Sequence, residues 1–373
     1  MTFALSSLPP MDVVGRLPRL RAALTEVEGG CDGLLVTNLT NIRYLTGFTG
    51  SAAVLLVTAD DLVFVTDGRY RDQAGAELDA TGVEATVAIG RTADEQRDHL
   101  VDPIGGLTTL GLEADDVSWA QQRRFATDWF AGTEMVATGG LVERLRSVKD
   151  AGEVARIEAA SSMADAALAT VRHRLGEGAT EAEIGLDLEW EMRRLGAEGP
   201  SFETIVASGP NGAMPHHRAG HRRLGEGDLV VLDFGALVDG YHSDMTRTLM
   251  VGEPTPTQAR MFDVVAEAQR AGVAAVRAGV EVTEVDEACR AVIRDAGWED
   301  AFSHGTGHGV GLDIHEDPRV SWSAAATLVD GHVVTVEPGV YLAEHGGVRI
   351  EDTVVVTPDG SRTLTRAPRD PDL

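Results

Sequence analysis

Residues 229–250 read Leu-Val-Val-Leu-Asp-Phe-Gly-Ala-Leu-Val-Asp-Gly-Tyr-His-Ser-Asp-Met-Thr-Arg-Thr-Leu-Met, and this stretch decides how the C-terminal part of the chain folds. Two apolar, strand-like runs flank Val238-Asp239-Gly240, and Asp-Gly is a strong hairpin signal. Asp233 and Asp244 stand at similar distances on either side of that turn. A hairpin centred there sets them opposite each other on one face, with Cβ atoms about 5 Å apart. Two carboxylates so placed repel, and one is driven to take up a proton unless a cation lies between them. Two solvated acids on an exposed hairpin would fit poorly with the apolar run Leu229, Val230, Val231, Leu232 and Phe234 around them.

Working outward, Glu337 ends the strand-like run VVTVEP and Glu351 lies within VRIEDTVVV. A glutamate among β-branched residues is poorly placed without a partner. His304, His308 and His315 fall within SHGTGHGVGLDIH, among glycines that permit close backbone approach, and this segment reads as a site wall. His216, after Pro215 in SGPNGAMPHH, is a further candidate, with His217 adjacent to it. His99, His173, His221, His242, His332 and His345 lack such a context and read as surface residues. Asp233, Asp244, His308, Glu337 and Glu351 then form an oxygen-rich set with one imidazole, which suits Mn²⁺, Fe²⁺, Co²⁺ or Zn²⁺. Four carboxylates and an imidazole cannot be buried together cheaply without compensating cations. Two ions sharing carboxylates are machinery for hydrolysis. The chain contains no P-loop, GxGxxG, HExxH or GxSxG pattern.

The chain has 373 residues, 43% hydrophobic and 24% charged, and carries a formal net charge of −27. The length predicts two domains. The charge disfavours nucleic acid and anionic membrane surfaces as partners. The two cysteines, Cys31 and Cys289, form no metal or redox spacing. Cys289 falls on the stripe Val285, Cys289, Val292 and reads as a buried thiol. Without a signal-peptide pattern or a long apolar run, the reading is a cytoplasmic protein.

Residues 1–140 alternate strand-like runs (DGLLVT, AAVLLVT, LVFVTD) with helix-like ones (PRLRAALTEVE, WAQQRRFATDWF), which predicts a small α/β domain. The charged segment 143–158 leads into a long helix, so the second domain is placed at 141–373. There, two helices followed by strands recur twice. Thr180 with Glu183 and Thr255 with Gln258 mark helix starts, and another helix starts at Thr283. The prediction is an α+β chain whose second domain is pseudo-symmetric, with helices outside a curved sheet and a groove between the halves.

The segments SFETIVASGPNGAMPHH, LVVLDFGALVDGYHSDMTRT, HGTGHGVGLDIHEDPR, VEPGVYL and GGVRIEDT resemble, in order and spacing, the pita-bread metallopeptidases: aminopeptidase P, prolidase (Xaa-Pro dipeptidase), methionine aminopeptidase and the non-peptidase creatinase. NIRYLTGFTGS and TDGRYRDQA resemble the creatinase/prolidase N-terminal domain, which methionine aminopeptidases lack. The resemblance implies a creatinase-like α/β domain followed by a pita-bread catalytic domain. It also implies that Asp233 chelates one ion and His308 and Glu337 the other, while Asp244 and Glu351 bridge both. Glu337 would in addition act as general base. His216 and His315 would bind substrate and steady the tetrahedral intermediate, His304 would shape the proline pocket, and Arg349 would pair with Asp233. The implied activity is aminopeptidase P-type cleavage of an Xaa-Pro bond at a free N-terminus, with two divalent ions, Mn²⁺ before Co²⁺ or Zn²⁺, and a homodimer. The competing expectations are a strict Xaa-Pro dipeptidase, a catalytically idle binding module and a creatinase-like hydrolase.

Overall fold

The computed structural model describes residues 4–102 and 106–372. It divides into two compact units: Asp12–Arg146, and Ser147–Leu373 together with the leading residues through Met11. The division expected at residue 140 therefore moves. Residues 141–146 stay with the first unit because Asn41 Nδ2 donates to Glu143 Oε1 (2.6 Å) and Arg146 donates to Asn41 Oδ1 (2.8 Å). The leading residues join the second unit, where Arg156 donates to the Pro9 carbonyl (3.1 Å).

In the first unit the three apolar runs form β1 (Gly33–Val36), β2 (Ala53–Thr58) and β3 (Leu62–Thr66). With β4 (Thr86–Ile89), β5 (Thr109–Glu113) and β6 (Glu134–Thr138) they make a six-stranded sheet in the order β4-β3-β2-β1-β5-β6. The β1–β2 and β2–β3 pairs are antiparallel, the others parallel. The helices are α1 (Arg16–Leu24), α2 (Leu39–Thr46), α3 (Arg71–Thr81), α4 (Ala93–Val101), α5 (Trp119–Arg124) and α6 (Leu141–Ser147).

The second unit begins its helices with α7 (Ala151–Val171), where Asp150 and Glu153 close a capping box. The charged stretch read as leading into a long helix is thus split into α6 and α7. In α8 (Glu181–Leu195) and α9 (Pro256–Ala275), Thr180 with Glu183 and Thr255 with Gln258 also form capping boxes. The next helix, α10 (Val282–Asp295), starts one residue before Thr283, with Glu281 at its N-cap. Cys289 is fully buried on it.

Strands follow each helix pair. The first set is β7 (Gly199–Pro200), β8 (Ile205–Ser208), β9 (Leu229–Phe234), β10 (Ala236–Val238), β11 (Tyr241–His242) and β12 (Met245–Met250). The second set is β13 (Gly307–Gly309), β14 (Glu316–Val320), β15 (Val333–Val336), β16 (Gly339–Leu342), β17 (Gly346–Arg349), β18 (Asp352–Thr357) and β19 (Gly360–Thr363). Each half has its own core. Ala164, Leu168, Ile184, Leu188 and Met192 pack against Val230, Leu232 and Phe234. Met261, Val265, Val285 and Ile293 pack against Val334, Val336, Val348 and Val354.

Behind β12 and β18 lies a buried charge network. Asp352, fully buried, accepts from Arg247 (2.9 Å), Gln269 (2.6 Å), Thr365 (2.7 Å) and Arg369 Nε (2.7 Å). Arg247 also donates to the carbonyls of Glu351 and Ala367. Residues 364–371 form a strap over this network, anchored by Leu364 N to Thr353 O and by Met250 N to Pro371 O, both at 2.8 Å. Among the described residues, no helix is long and apolar enough to cross a membrane.

Candidate metal centre and active site

The hairpin at Asp239-Gly240 forms, and both turn residues have positive φ (49° and 73°), the backbone the Asp-Gly signal requires. Its ladder is kinked, however. On β9, Asp233 pairs with Thr246, not with Asp244, while the tip, β10 and β11, belongs to another sheet. The kink sits at Gly235, where a Cβ would stand 1.8 Å from the Ser243 carbonyl oxygen. Asp244, two residues before Thr246, stays on the face of Asp233 because strand side chains repeat every second residue. The expected opposition is therefore diagonal, and the two carboxylates still converge. One oxygen each from Asp233, Asp244 and Glu351 lies within 4.8 Å of the other two.

Glu351 sits at the break between β17 and β18, and Glu337 directly follows β15. His308 is the middle residue of β13. Its backbone passes tightly over Thr335, where a Cβ on Gly307 would meet the Thr335 carbonyl oxygen at 2.0 Å. His308 Nδ1 lies 3.0 Å from the Gly309 carbonyl and so carries the ring proton. Its bare Nε2 then faces Asp244 Oδ2 and Glu337 Oε1, each at 3.5 Å.

All nine residues singled out in the sequence line one cavity of about 570 Å³: Asp233, Asp244, His308, Glu337, Glu351, His216, His304, His315 and Arg349. Arg349 is buried; it donates to Asp233 Oδ2 (2.5 Å), Thr246 Oγ1 (3.1 Å) and the Tyr341 hydroxyl (2.9 Å). Tyr341 in turn meets His304 Nε2 at 2.8 Å, and the His304 ring stands edge-on to Phe302. His315 stacks edge-on against His308, with centroids 4.5 Å apart. His216 is exposed on the wall.

The electrostatics are those of a site that calls for positive charge. Desolvation, and then neighbouring carboxylates, hold Asp244 and Glu351 far above the ordinary carboxylate range. Burial pushes Glu337 up to about 8, against the opposing pull of Arg349. Burial also lowers His308 to about 3 and His304 to about 4. Asp233 Oδ1 and Glu351 Oε1 are buried with no hydrogen-bond partner. Orphaned carboxyl oxygens beside a bare imidazole nitrogen are a costly arrangement for a protein alone. A divalent cation coordinated by these atoms removes the cost, so the donor set fits a metal centre.

Three features were not legible in the sequence. Tyr341 joins His304 to Arg349 through a contact no local pattern announces. Arg319 is exposed on the cavity wall and, among the described residues, makes no hydrogen bond or ion pair. Its only sequence signal is its place four residues after His315. Two histidines read as surface residues also belong elsewhere. His332 is buried, and His242 is half-buried, with Nδ1 2.8 Å from Ser201 Oγ.

Comparison with known proteins agrees with this geometry. Residues 155–358 match the model for metallopeptidase family M24, and residues 16–148 match the creatinase/prolidase N-terminal domain. The chain is 39% identical to a Pyrococcus furiosus protein named Xaa-Pro dipeptidase, over 92% of this chain and 96% of that one. Among solved structures, the Xaa-Pro dipeptidase from Bacillus anthracis superimposes with a TM-score of 0.92 at 37% identity, covering 97% of this chain and all of that one. The X-Pro aminopeptidase from Thermotoga maritima gives 0.86 at 34% identity, covering 95% and 99%. With the expected pita-bread architecture matched along nearly its whole length, the chain belongs to metallopeptidase family M24, as a metallopeptidase whose pita-bread domain follows a creatinase-like N-terminal domain.

Proposed function

We propose that the protein hydrolyses Xaa-Pro bonds at a free N-terminus and that Xaa-Pro dipeptides are its best substrates. The observation that carries the dipeptide reading is Arg319. Every other charged residue of the cavity is a carboxylate, an imidazole or Arg349, and Arg349 is already paired with Asp233. Arg319 is the available cation, and its charge is felt by Glu337, His308 and His315. A dipeptide presents its terminal carboxylate one residue beyond the scissile bond. An unpaired guanidinium on the cavity wall is a natural partner for it. The names of the Pyrococcus and Bacillus anthracis proteins support this reading. The Thermotoga maritima name favours the second reading, aminopeptidase P-type cleavage of longer peptides.

Asp233, Asp244, His308, Glu337 and Glu351 would hold two divalent cations, Mn²⁺ first and Co²⁺ or Zn²⁺ as alternatives. Such a pair supplies Lewis-acid polarisation of the scissile carbonyl and an acidified water. Glu337 takes the proton from the attacking water as its oxygen bonds to the carbonyl carbon. When the C–N bond breaks, Glu337 returns that proton to the prolyl nitrogen. His216 and His315 donate to the oxygen on which negative charge develops. His304, braced by Tyr341 and Phe302, forms the wall for the pyrrolidine ring. Proline needs such a site because its tertiary amide has no N–H for strand-like binding. The proposal includes a homodimer and a cytoplasmic location, both carried from the sequence reading; sedimentation equilibrium tests the first.

The test compares an Xaa-Pro dipeptide with an Xaa-Pro-Xaa tripeptide, with Mn²⁺, Co²⁺ and Zn²⁺ supplied in turn. The dipeptide is expected to be preferred. Arg319→Met is expected to raise its KM by about 30-fold or more while changing tripeptide kinetics little, since truncating one partner of a charge pair costs about 2–5 kcal/mol. Preference for the tripeptide, with equal effects of Arg319→Met on both, would overturn the dipeptidase reading.

A further inference from the structure

His216 sits on a turn within a long connection that has little regular structure. Between β8 and β9 the chain runs for twenty residues with only one short helical turn, Gly209–Ala213. Within it, Met214, Pro215, His216 and His217 form a β-turn closed by His217 N to Met214 O (3.1 Å). Proline at the second position presets the turn. His216, at the third position, is exposed at the cavity wall.

Arg349 Nη1 donates to the Pro215 carbonyl (3.4 Å), and a buried carboxylate ties the segment on either side of it. Glu181, the first residue of α8, is fully buried. Its Oε1 accepts from Ser208 N (2.8 Å), Ser208 Oγ (2.7 Å) and Asn211 Nδ2 (2.9 Å). Its Oε2 accepts from His217 Nε2 (2.9 Å) and Gly220 N (3.2 Å). All five donors belong to residues 208–220. Ser208 and Gly220 close the ends of that segment, Asn211 precedes the turn, and His217 is its last residue. Capping does not explain Glu181, because Thr180 and Glu183 already cap α8. The helix N-terminus and five donors offset the cost of burying the anion. Its hydrogen bonds draw its pKa below the ordinary value even though burial, the largest influence, opposes this.

We infer that Glu181 and His217 are positioning residues whose hydrogen bond sets the place of the His216 imidazole at the reacting carbonyl. His217, adjacent to His216 and of the same residue type, does not touch substrate. It does not line the cavity; its Nε2 donates to Glu181 and its side chain is 16% exposed. The inference rests on the proposed role of His216, so its test carries a readout independent of turnover.

The experiment uses the full-length, Mn²⁺-loaded protein. His217→Ala is expected to lower kcat/KM for an Xaa-Pro dipeptide by about 10- to 100-fold, the scale of a catalytic group displaced by about 1 Å. Metal content should be unchanged. His217→Gln, whose amide can still donate to Glu181, is expected to recover most of the loss. In a His216→Ala background the further change His217→Ala is expected to alter kcat/KM by less than about twofold. Hydrogen exchange at the Met214, His217 and Gly220 amides is expected to speed up in His217→Ala and not in His217→Gln. Unchanged exchange would overturn the latch whatever His216 does. Faster exchange with additive losses would overturn its action through His216. Faster exchange with a fully active His216→Ala protein would leave the latch standing as a structural tie, but would overturn both the proposed role of His216 and the action inferred through it.

Discussion

Glu337→Gln is expected to lower kcat/KM for an Xaa-Pro dipeptide by about 10³-fold while leaving the fold intact. The substitution keeps the side chain's size and removes its capacity to accept and return a proton, and a positioned general base contributes about 10²–10⁴-fold. Glu337 lies within the carboxylate cluster of the cavity, with Oε1 3.5 Å from His308 Nε2 and Thr335 Oγ1 donating to it at 3.4 Å. Because Glu337 is also a proposed ligand, the measurement pairs single-turnover kinetics with metal analysis. A variant that binds a full complement of metal and still loses its turnover separates proton transfer from metal loss. Retention of more than about a tenth of the wild-type rate at full metal occupancy would remove Glu337 from the general-base role.

The second large effect concerns stability without metal. Glu337, Asp244 and Glu351 all have folded-state pKa values raised above the ordinary range, chiefly by burial. A raised carboxyl holds a proton in the folded chain that it releases on unfolding. For Glu337 this applies between its ordinary 4.5 and about 8. In that window Glu337 binds more proton in the folded state than in the unfolded state, so its contribution to stability falls as pH rises. Each such proton contributes a slope of about 1.4 kcal/mol per pH unit. Below about pH 6.5 the buried histidines, whose pKa values burial lowers to about 3 for His308 and about 4 for His304 and His332, act in the opposite sense. Metal-stripped protein is therefore expected to melt at progressively lower temperature from about pH 7 to about pH 8. Mn²⁺ at about a thousand times its Kd adds about 4 kcal/mol, or about 10 °C in Tm. The gain should be largest at the alkaline end, where the ligands shed their protons most readily. Melting curves in chelator and in Mn²⁺ across this pH range make the check. A metal-free Tm that rises with pH would contradict the buried, proton-binding cluster.

Much of this was legible wherever structure is local. The capping pairs at Thr180 and Thr255 and the turn at Asp239-Gly240 each depend on residues a few positions apart, and the folded chain uses all three. The convergence of Asp233 and Asp244 was legible because strand periodicity survives a kink. The kink itself was not, since it arises from the close approach of the Ser243 carbonyl to Gly235. His332 and Tyr341 were missed for a related reason. Their burial and partners come from segments far away in sequence, and a lone polar residue carries no periodicity to announce them. Glu181 was read past because it sits in a capping sequence whose local explanation was already complete. Arg319 was part of a quoted motif, but an exposed arginine shows its value only once the cavity around it is known.

The strap of residues 364–371 ties the proposed metal centre to a distant part of the chain. Every proposed ligand has been synthesised by residue 351, yet the backbone of Glu351 is held by Arg247, whose partner Asp352 also takes up Arg369. A chain clipped after Thr363 keeps the whole cavity in its sequence and loses two of the donors that balance Asp352. On the proposed reading, competence to hold metal is expected to wait during translation until the strap has left the ribosome. The strap is accordingly expected to be a sensitive place for affinity tags and protease nicks, although it contributes no side chain to the cavity.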